Sequence, residues 1–464
     1  MAGNETGAMP SLRAFDIGCV VVGGIIGVGI FFTPAEVARA VDTPWQVVVA
    51  WSLGGVLAIL GALVFAALSR AVHGFGGTFA YVRAAFGDLP AFLYGWCNWL
   101  VIQAGALGII GIVLVDHAAE LVHGADTAVG ETTRIAIAAL AIVAFTLLNC
   151  LGLRVGKAVQ NALTVAKTAA VFGLVVLALF ATGTGVRPVV VADAAPRDAW
   201  LALGAAMLPV LFAFGGWQQG AFVAGAARRP ERDVPLGLLF GVAVVVVAYL
   251  TVNLAFLDLL GFEGAARSET IALDAVRVAL GEDAASEFVV RLFAAAVVVS
   301  ALGIMNTICM APPYVLHAMA KERLFFAAAA HRHPRHGAPV FAVLAQGMWA
   351  VVLLMAVHVG SGGGGSIDAL GFLLSCVVCV DWVFFAGCAA ALLVLARRGV
   401  PMPPFARTVA VVFGLGSLAV VVGGAASEPG AAATGAGLLM LGLPAFAAFR
   451  RHASRRTGNH DRPP

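Results

Sequence analysis

Two ionisable residues lie inside long apolar stretches of the sequence. Lys167 follows ALTVA in one stretch, and Asp381 is the single acid in the run VVCVDWVFF. A charge at the centre of a bilayer costs about 2.5–3.5 kcal/mol, and such a group more often belongs to a solute or ion pathway than to a purely structural pair. We therefore predict that Lys167 and Asp381 take part in coupling or gating, with a buried structural pairing as the alternative.

Glycine interrupts two other apolar stretches. The first reads GGIIGVGIFFTP from Gly23, and the second reads FAFGGW from Phe212. Glycine weakens helices, and unwound backbone at membrane depth is tolerated only where it lines a cavity or is buried in protein. Close helix packing through small residues is the alternative. Two breaks in corresponding places of two halves indicate a transporter with inverted repeats and a substrate site at the bilayer midplane.

Broken helices present free amides and carbonyls that suit a zwitterion. We expect the amides around Gly27, Val28 and Gly29 to bind a carboxylate. We expect an amino group to meet the carbonyls of four residues: Ile25, Ile26, Phe212 and Ala213. Phe214, Gly216 and Trp217 would surround the bound carboxylate and amino group. The lining looks uncharged, which predicts an amino acid with a neutral side chain.

The elements that must position these residues are membrane helices. Of the 464 residues, 61% are hydrophobic and only 11% are charged, and the mean hydropathy is +0.97. This composition excludes a soluble domain and leaves room for about a dozen spans of about 20 residues. We predict an all-α polytopic membrane protein with twelve transmembrane helices. The predicted spans are 16–40, 45–69, 90–115, 133–153, 157–181, 200–226, 236–260, 288–318, 339–358, 367–396, 405–424 and 431–449.

Orientation follows from the basic residues. Most of the 28 Lys and Arg residues fall in segments on the side of the two termini, and most of the 25 acids fall on the other side. Because the basic side of a membrane protein stays inside, both termini are predicted to be cytoplasmic. We expect the protein to lie in a bacterial cytoplasmic membrane, with the lipid bilayer around its helices.

The rival functional classes lack support in the sequence. A membrane-embedded transferase needs a reactive group of residues, and no HExxH, GxSxG or P-loop motif is present. A transporter-like sensor needs an output domain that the short termini cannot hold. We predict no cofactor, no metal site, no catalytic residue and no nucleic-acid partner. The oligomeric state stays open.

Several motifs in order resemble the amino acid-polyamine-organocation (APC) superfamily, and most closely its L-type amino acid transporter-like branch. They run from about Asp16 to Arg398 and read GIIGVGIFFTP, GFGGTFAYVRAAFG, LNCLGLRVGKAVQNALTVAK, FAFGGW, RRPERDVP and PPYVLHAMAKERLFF. The resemblance implies a five-plus-five inverted repeat with discontinuous helices 1 and 6 and two further C-terminal helices. The single membrane domain, 1–464, would then divide into 16–181, 200–396 and 405–449.

The resemblance also implies roles for single residues. Phe212 matches an aromatic residue that closes over the substrate from outside. Lys167 matches a lysine of sodium-independent members, whose ammonium lies where sodium binds in sodium-coupled relatives, and Ser300 would assist it. Tyr249 belongs to a similar pattern, YLTVN, in the seventh span. The implied function is sodium-independent transport of neutral L-amino acids by alternating access, and the choice between exchange and proton-coupled symport of amino acids or amines stays open.

Overall fold

The computed structural model describes residues 12–27, 29–123, 129–181, 199–281, 284–360 and 366–458. Val28, one of the predicted substrate contacts, lies outside the described residues. The described chain is built from α-helices, joined by short turns. They are α1 Ala14–Ile25, α2 Gly29–Ala40, α3 Pro44–Ala71, α4 Thr78–Phe86, α5 Asp88–Cys97, α6 Ala104–His123, α7 Glu131–Cys150, α8 Leu153–Ala181, α9 Ala199–Ala213, α10 Gln219–Phe222, α11 Pro230–Arg267, α12 Ile271–Leu280, α13 Ala284–Met310, α14 Pro313–Lys321, α15 Val340–Gly360, α16 Ser366–Arg397, α17 Ala406–Ser427 and α18 Pro429–Gly458.

The polytopic all-α architecture predicted from the sequence is confirmed. Within the described residues, ten helices or continuous helix pairs are long and apolar enough to cross a membrane, and the bent pair α1 and α2 adds an eleventh. The remaining predicted span, 200–226, contains the short apolar stretch Ala202–Ala213 of α9, followed by a turn and α10. The sixth span is therefore the one most strongly interrupted.

The first break separates α1 from α2. Helix α1 ends at Ile25 because Ile26 has an extended backbone, with ψ at 101°, although its amide still donates to Val22 O at 2.8 Å. Helix α2 begins at Gly29, and the two helix axes differ in direction by 44°. The last carbonyls of α1 and the first amides of α2 consequently lack partners within their own helices.

The second break follows α9. After Ala213 the chain forms a turn over 214–218, in which the Gly215 amide donates to Phe212 O at 3.0 Å. Gly216 has a φ of +111°, a conformation that residues with a side chain rarely adopt. The helical path resumes only for the single turn of α10.

The two breaks touch each other through glycine backbone. A Cβ atom added to Gly24 would lie 3.0 Å from Gly216 O, and one added to Gly216 would overlap the Gly24 carbonyl. Nearby, a Cβ on Gly29 would lie 3.3 Å from the Cα of Ala213. The glycines therefore allow a backbone-to-backbone approach that any side chain would prevent.

Other helices enclose this crossing. Helices α8, α11 and α13 pack against α1, and α9 packs against α2, α3 and α16. Between α5 and α6, residues Asn98–Gln103 form a π-helical turn, a feature that is frequent at functional sites. The breaks are thus buried among helices from both halves of the chain.

We expect Gly216→Ala to destabilise the protein strongly. An alanine at this position would have to adopt the positive φ of Gly216, and its Cβ would overlap the Gly24 carbonyl. We expect the free energy of unfolding to fall by at least about 2 kcal/mol. The apparent melting temperature of the purified protein in detergent measures the effect. Gly204→Ala is the matched control, because Gly204 lies exposed in α9 with no atom within 4 Å of the added Cβ. An unchanged melting temperature for the Gly216 variant would contradict the close approach.

Candidate functional site

A cavity lies where the two interrupted spans meet. Its empty space, counted together with the open mouth, is about 710 Å³. Its walls come from both breaks, from the third span, and from α13 and α16. The lining residues are Gly24, Ile25, Gly29, Ile102, Gln103, Ala106, Ile110, Leu211, Phe212, Ala213, Gly215, Gly216, Gln218, Gln219, Ile304, Ile308, Val377, Val378, Asp381, Trp382 and Phe385.

Lys167 binds the end of α1 rather than the cavity. Its side chain is fully buried, and Nζ donates to Gly23 O at 2.7 Å. No salt bridge to Lys167 is found within the described chain, so the carbonyl is the polar partner that the structure assigns to it. The ammonium therefore lies at the carbonyl end of a broken helix, where the partial negative charge of the helix dipole stabilises a cation.

Ser300 contacts the same helix end from α13. Its hydroxyl donates to Ile26 O at 3.4 Å, and the residue is fully buried. A Cβ added to Gly303, one turn further along α13, would lie 3.0 Å from Lys167 Nζ. Lys167 and Ser300 therefore reach neighbouring parts of the break from two helices.

Tyr249 joins the two breaks. Its hydroxyl lies 2.8 Å from Ile25 O and 3.3 Å from Ala213 O, the last residues of α1 and α9. One hydroxyl proton is shared between two carbonyls that would otherwise have no donor from their own helices. Trp51 packs edge-on against the Tyr249 ring at a centroid distance of 5.6 Å and fixes its orientation.

Several predicted contacts lie behind the cavity wall. Phe214 is buried against Trp51 and Tyr249, and Trp217 packs between Phe65 and Phe385. Neither ring lines the cavity. Both side chains brace the turn after α9, and their assignment as substrate contacts stays a prediction.

Ile26 and Gly27 also lie outside the lining. Ile26 is fully buried, and a side chain on Gly27 would overlap Ile304. Of the predicted substrate contacts, five line the cavity: Ile25, Gly29, Phe212, Ala213 and Gly216. The backbone at the two breaks is thus brought together, whereas the aromatic residues that follow the second break point elsewhere.

Phe212 lies at the wall between α9 and α2. It is half-buried, and its ring lies 6.3 Å from that of Phe32, centroid to centroid. The two rings come from the two interrupted spans. The role of Phe212 in closing the cavity over a substrate stays a prediction.

Polar side chains also line the cavity, among them Gln103, Gln218 and Asp381. Gln218 accepts from the Gly216 amide at 3.1 Å through Oε1 and donates from Nε2 to Asp381 Oδ2 at 3.0 Å. Gln103 donates to Asn98 Oδ1 at 2.9 Å within the π-helical turn. Among the described residues of the lining, Asp381 is the one that is ionisable, so the uncharged lining expected from the sequence has one exception.

A buried polar cluster joins α1, α8 and α13 near the first break. It was not predicted from the sequence. Asn306 on α13 donates to Gln160 Oε1 at 2.9 Å and to Gly156 O at 3.0 Å, both on α8. Thr164, one turn before Lys167, donates to Cys19 O at 3.0 Å. The available signal was the spacing of Gln160, Thr164 and Lys167, which places them on one face of α8.

Two interrupted apolar helices that share a mostly apolar cavity define the architecture of a solute transporter. The sequence matches the amino acid permease family over residues 12–443. The protein therefore belongs to this family, within the APC superfamily, and is a membrane transporter of amino acids rather than an enzyme.

Individual relatives agree with this assignment. The chain is 26% identical over 346 residues to the b(0,+)-type amino acid transporter 1 of Mus musculus, covering 74% of this chain and 69% of the relative. It is also 26% identical to the serine/threonine exchanger SteT of Bacillus subtilis, covering 72% and 74%. The human cystine/glutamate transporter is 25% identical over 439 residues, covering 93% and 83%.

We expect Lys167→Ala to reduce transport at least tenfold. The change removes the donor to Gly23 O and leaves a buried carbonyl unsatisfied, at a cost of about 1–3 kcal/mol. Uptake of labelled amino acid into proteoliposomes measures it, and Lys321→Ala, at an exposed lysine ending α14, is the control. Unchanged uptake in the Lys167 variant would remove this residue from the mechanism.

We expect Tyr249→Phe to lower both stability and uptake, because two helix-end carbonyls lose their shared donor. The expected destabilisation is about 1–3 kcal/mol, with a several-fold lower uptake rate. Tyr81→Phe is the matched control, since the buried Tyr81 hydroxyl has no hydrogen-bond partner among the residues that the structure describes. Equal behaviour of the two variants would show that the bridge has no role.

Proposed function

We propose that the protein carries neutral L-amino acids across a cytoplasmic membrane by alternating access, without sodium. The observation that carries the proposal is the cavity formed at the two breaks, whose wall includes Ile25, Gly29 and Ala213. Helix-end amides and carbonyls recognise the carboxylate and amino group that all amino acids share. The mainly apolar remainder of the wall suits a neutral side chain.

An acidic substrate fits less well. A substrate carboxylate needs a cationic or amide-rich partner, and no Lys, Arg or His belongs to the lining in the described chain. Asp381 would also repel such a side chain. This argues against the anionic substrate named for the cystine/glutamate transporter and in favour of the neutral substrates named for the serine/threonine exchanger.

Sodium independence rests on Lys167. Its ammonium is bonded to Gly23 O, and Ser300 is bonded to Ile26 O, at the end of α1. A bound sodium ion needs several oxygen ligands, and the lysine already uses carbonyl oxygen and supplies the positive charge there. We therefore propose that the fixed ammonium replaces a coupling ion.

We also propose how the chain is divided into repeats and how it is oriented in the membrane. Segments 16–181 and 200–396 form the two inverted repeats, and 405–449 adds the last two helices. The excess of Lys and Arg on the side of the termini supports cytoplasmic ends. The bacterial exchanger among the relatives supports a bacterial cytoplasmic membrane.

Among the coupling modes, we propose exchange of internal for external amino acid. We expect labelled amino acid to enter proteoliposomes only when they contain unlabelled amino acid, equally well in sodium and in choline buffers. Competition by the twenty amino acids against one labelled substrate then identifies the substrate.

Two results would contradict this mode. Uptake into empty liposomes under an imposed pH gradient would favour the alternative, a proton-coupled symporter of amino acids or amines. Loss of uptake in choline buffer would contradict sodium independence. Protein-free liposomes and the Lys167→Ala variant are the controls.

A further inference from the structure

Phe75 lies in the connection between α3 and α4, at the end of the molecule where Leu12 lies. This connection is bonded to the sixth span, because the Gly76 amide donates to Phe222 O, at the end of α10, at 3.0 Å. A Cβ added to Gly225 would lie 2.6 Å from Cδ2 of Phe75, so the ring packs directly against the chain that follows α10. Phe75 is therefore attached to the end of the interrupted sixth span.

The first interrupted span is bonded to the same segment. The Leu12 amide donates to Ala226 O at 3.0 Å, and the Arg228 amide donates to Leu12 O at 2.8 Å. These bonds belong to a parallel β-bridge between the residues before α1 and the residues after α10. Leu12 and Phe222 are fully buried, and neither lines the cavity. The ends of both interrupted spans thus meet beyond the cavity, with their backbones bonded to each other.

Helix α14 packs against Phe75. The Tyr314 ring stacks on the Phe75 ring at a centroid distance of 4.7 Å, with 14° between the planes. A Cβ added to Gly76 would lie 2.8 Å from Cβ of Ala318, one turn further along α14. Arg332, in the connection between α14 and α15, places its guanidinium carbon 5.5 Å from the centroid of the Phe75 ring. A side chain attached to the sixth span thus contacts two residues that follow α13.

The charge of Arg332 takes part in this contact. In the described part of the chain no carboxylate pairs with Arg332, and Glu231, at the start of α11, contacts His73 instead at 3.6 Å. A guanidinium is attracted to the negative face of an aromatic ring, more strongly where water is partly excluded. Arg332 is half-buried, so its attraction to the ring is only partly screened.

We propose that Arg332 and Tyr314 form a latch on Phe75 that keeps the cytoplasmic end of the cavity closed. The inference rests on the proposed function, because a carrier that works by alternating access has to open this end, and the proposed orientation places it in the cytoplasm. Opening moves the ends of the interrupted spans away from α14, and Phe75 then leaves both partners. The latch therefore raises the fraction of protein that faces outward, and its loss favours the inward-facing state.

The substrate concentrations that give half-maximal uptake on the two sides of the membrane test the proposal. Right-side-out and inside-out membrane vesicles are loaded with the neutral L-amino acid that competes best among the twenty, and uptake of its labelled form is measured. A substrate that binds one state has an apparent dissociation constant divided by the fraction of that state. We expect Arg332→Gln to raise the half-maximal concentration at least threefold in right-side-out vesicles and to lower it in inside-out vesicles.

Phe75→Leu removes the ring face and keeps an apolar side chain, so we expect the same two opposite shifts. The double variant should shift no further than either single variant, because both lose the same contact. Arg332→Lys keeps a cation and should lie between Arg332→Gln and the intact protein. Arg450→Gln is the matched control, since Arg450 makes the same kind of contact with Phe446, at 5.6 Å, within α18. Its two concentrations should equal those of the intact protein.

Where a variant takes up too little to assay, a cysteine at the cavity residue Ile308 replaces the uptake measurement. A membrane-impermeant thiol reagent should label it at least threefold faster in inside-out vesicles when Arg332→Gln is present. The same protein without this cysteine gives the background from the native thiols. Equal labelling rates with and without Arg332→Gln would contradict the latch.

The outcomes separate the latch from the proposed function. Loss of stability alone changes uptake in the same direction in both kinds of vesicle. Such parallel changes, additive shifts in the double variant, or unchanged concentrations with Arg332→Gln overturn the latch and leave amino acid transport standing. Absence of uptake of all twenty amino acids by the intact protein overturns the proposed function itself.

Discussion

Unpaired carbonyls at the end of α1 are the constraint on which the site depends. A helix leaves its last four carbonyls without internal partners, and water is absent from the bilayer core to satisfy them. Here three side chains from three other helices act as donors: Lys167 to Gly23, Tyr249 to Ile25 and Ser300 to Ile26. The break in the first span is therefore possible only because α8, α11 and α13 supply these groups.

The same contacts link the break to the rest of the molecule. Tyr249 holds the ends of α1 and α9 together, and Gly24 lies against Gly216 without intervening side chains. Movement of either interrupted span must therefore move the other or break a buried hydrogen bond. Such bonds are costly to leave unmade, so the two spans favour moving as a unit with the cavity between them.

The two breaks and the buried lysine were visible in the sequence, whereas the cavity wall was not. Glycine runs and a lysine within an apolar stretch are visible without a structure, because each is unfavourable in a continuous membrane helix. Which way an aromatic side chain points after a break is different. Phe212 faces the cavity while Phe214, two residues on, packs against Trp51, and this depends on the turn geometry at Gly216.

The wall facing the breaks was also beyond the reach of sequence patterns. Gln103 reaches the lining from a π-helical turn, whose altered spacing shifts side chains relative to a regular α-helix. The division of the chain into inverted repeats at 16–181 and 200–396 stays a prediction, because it concerns symmetry between halves rather than any single contact.

The two intramembrane ionisable residues, grouped together from the sequence, occupy different environments. Lys167 lies outside the cavity, and a backbone carbonyl of α1 accepts its hydrogen bond, so this side chain supplies a donor to a helix end. Asp381 lines the cavity with one oxygen unsatisfied. A coupling role for Asp381 stays a prediction. Equal cost in the bilayer therefore does not imply equal surroundings: the lysine hydrogen-bonds the end of α1 outside the cavity, and the aspartate lies in the cavity wall.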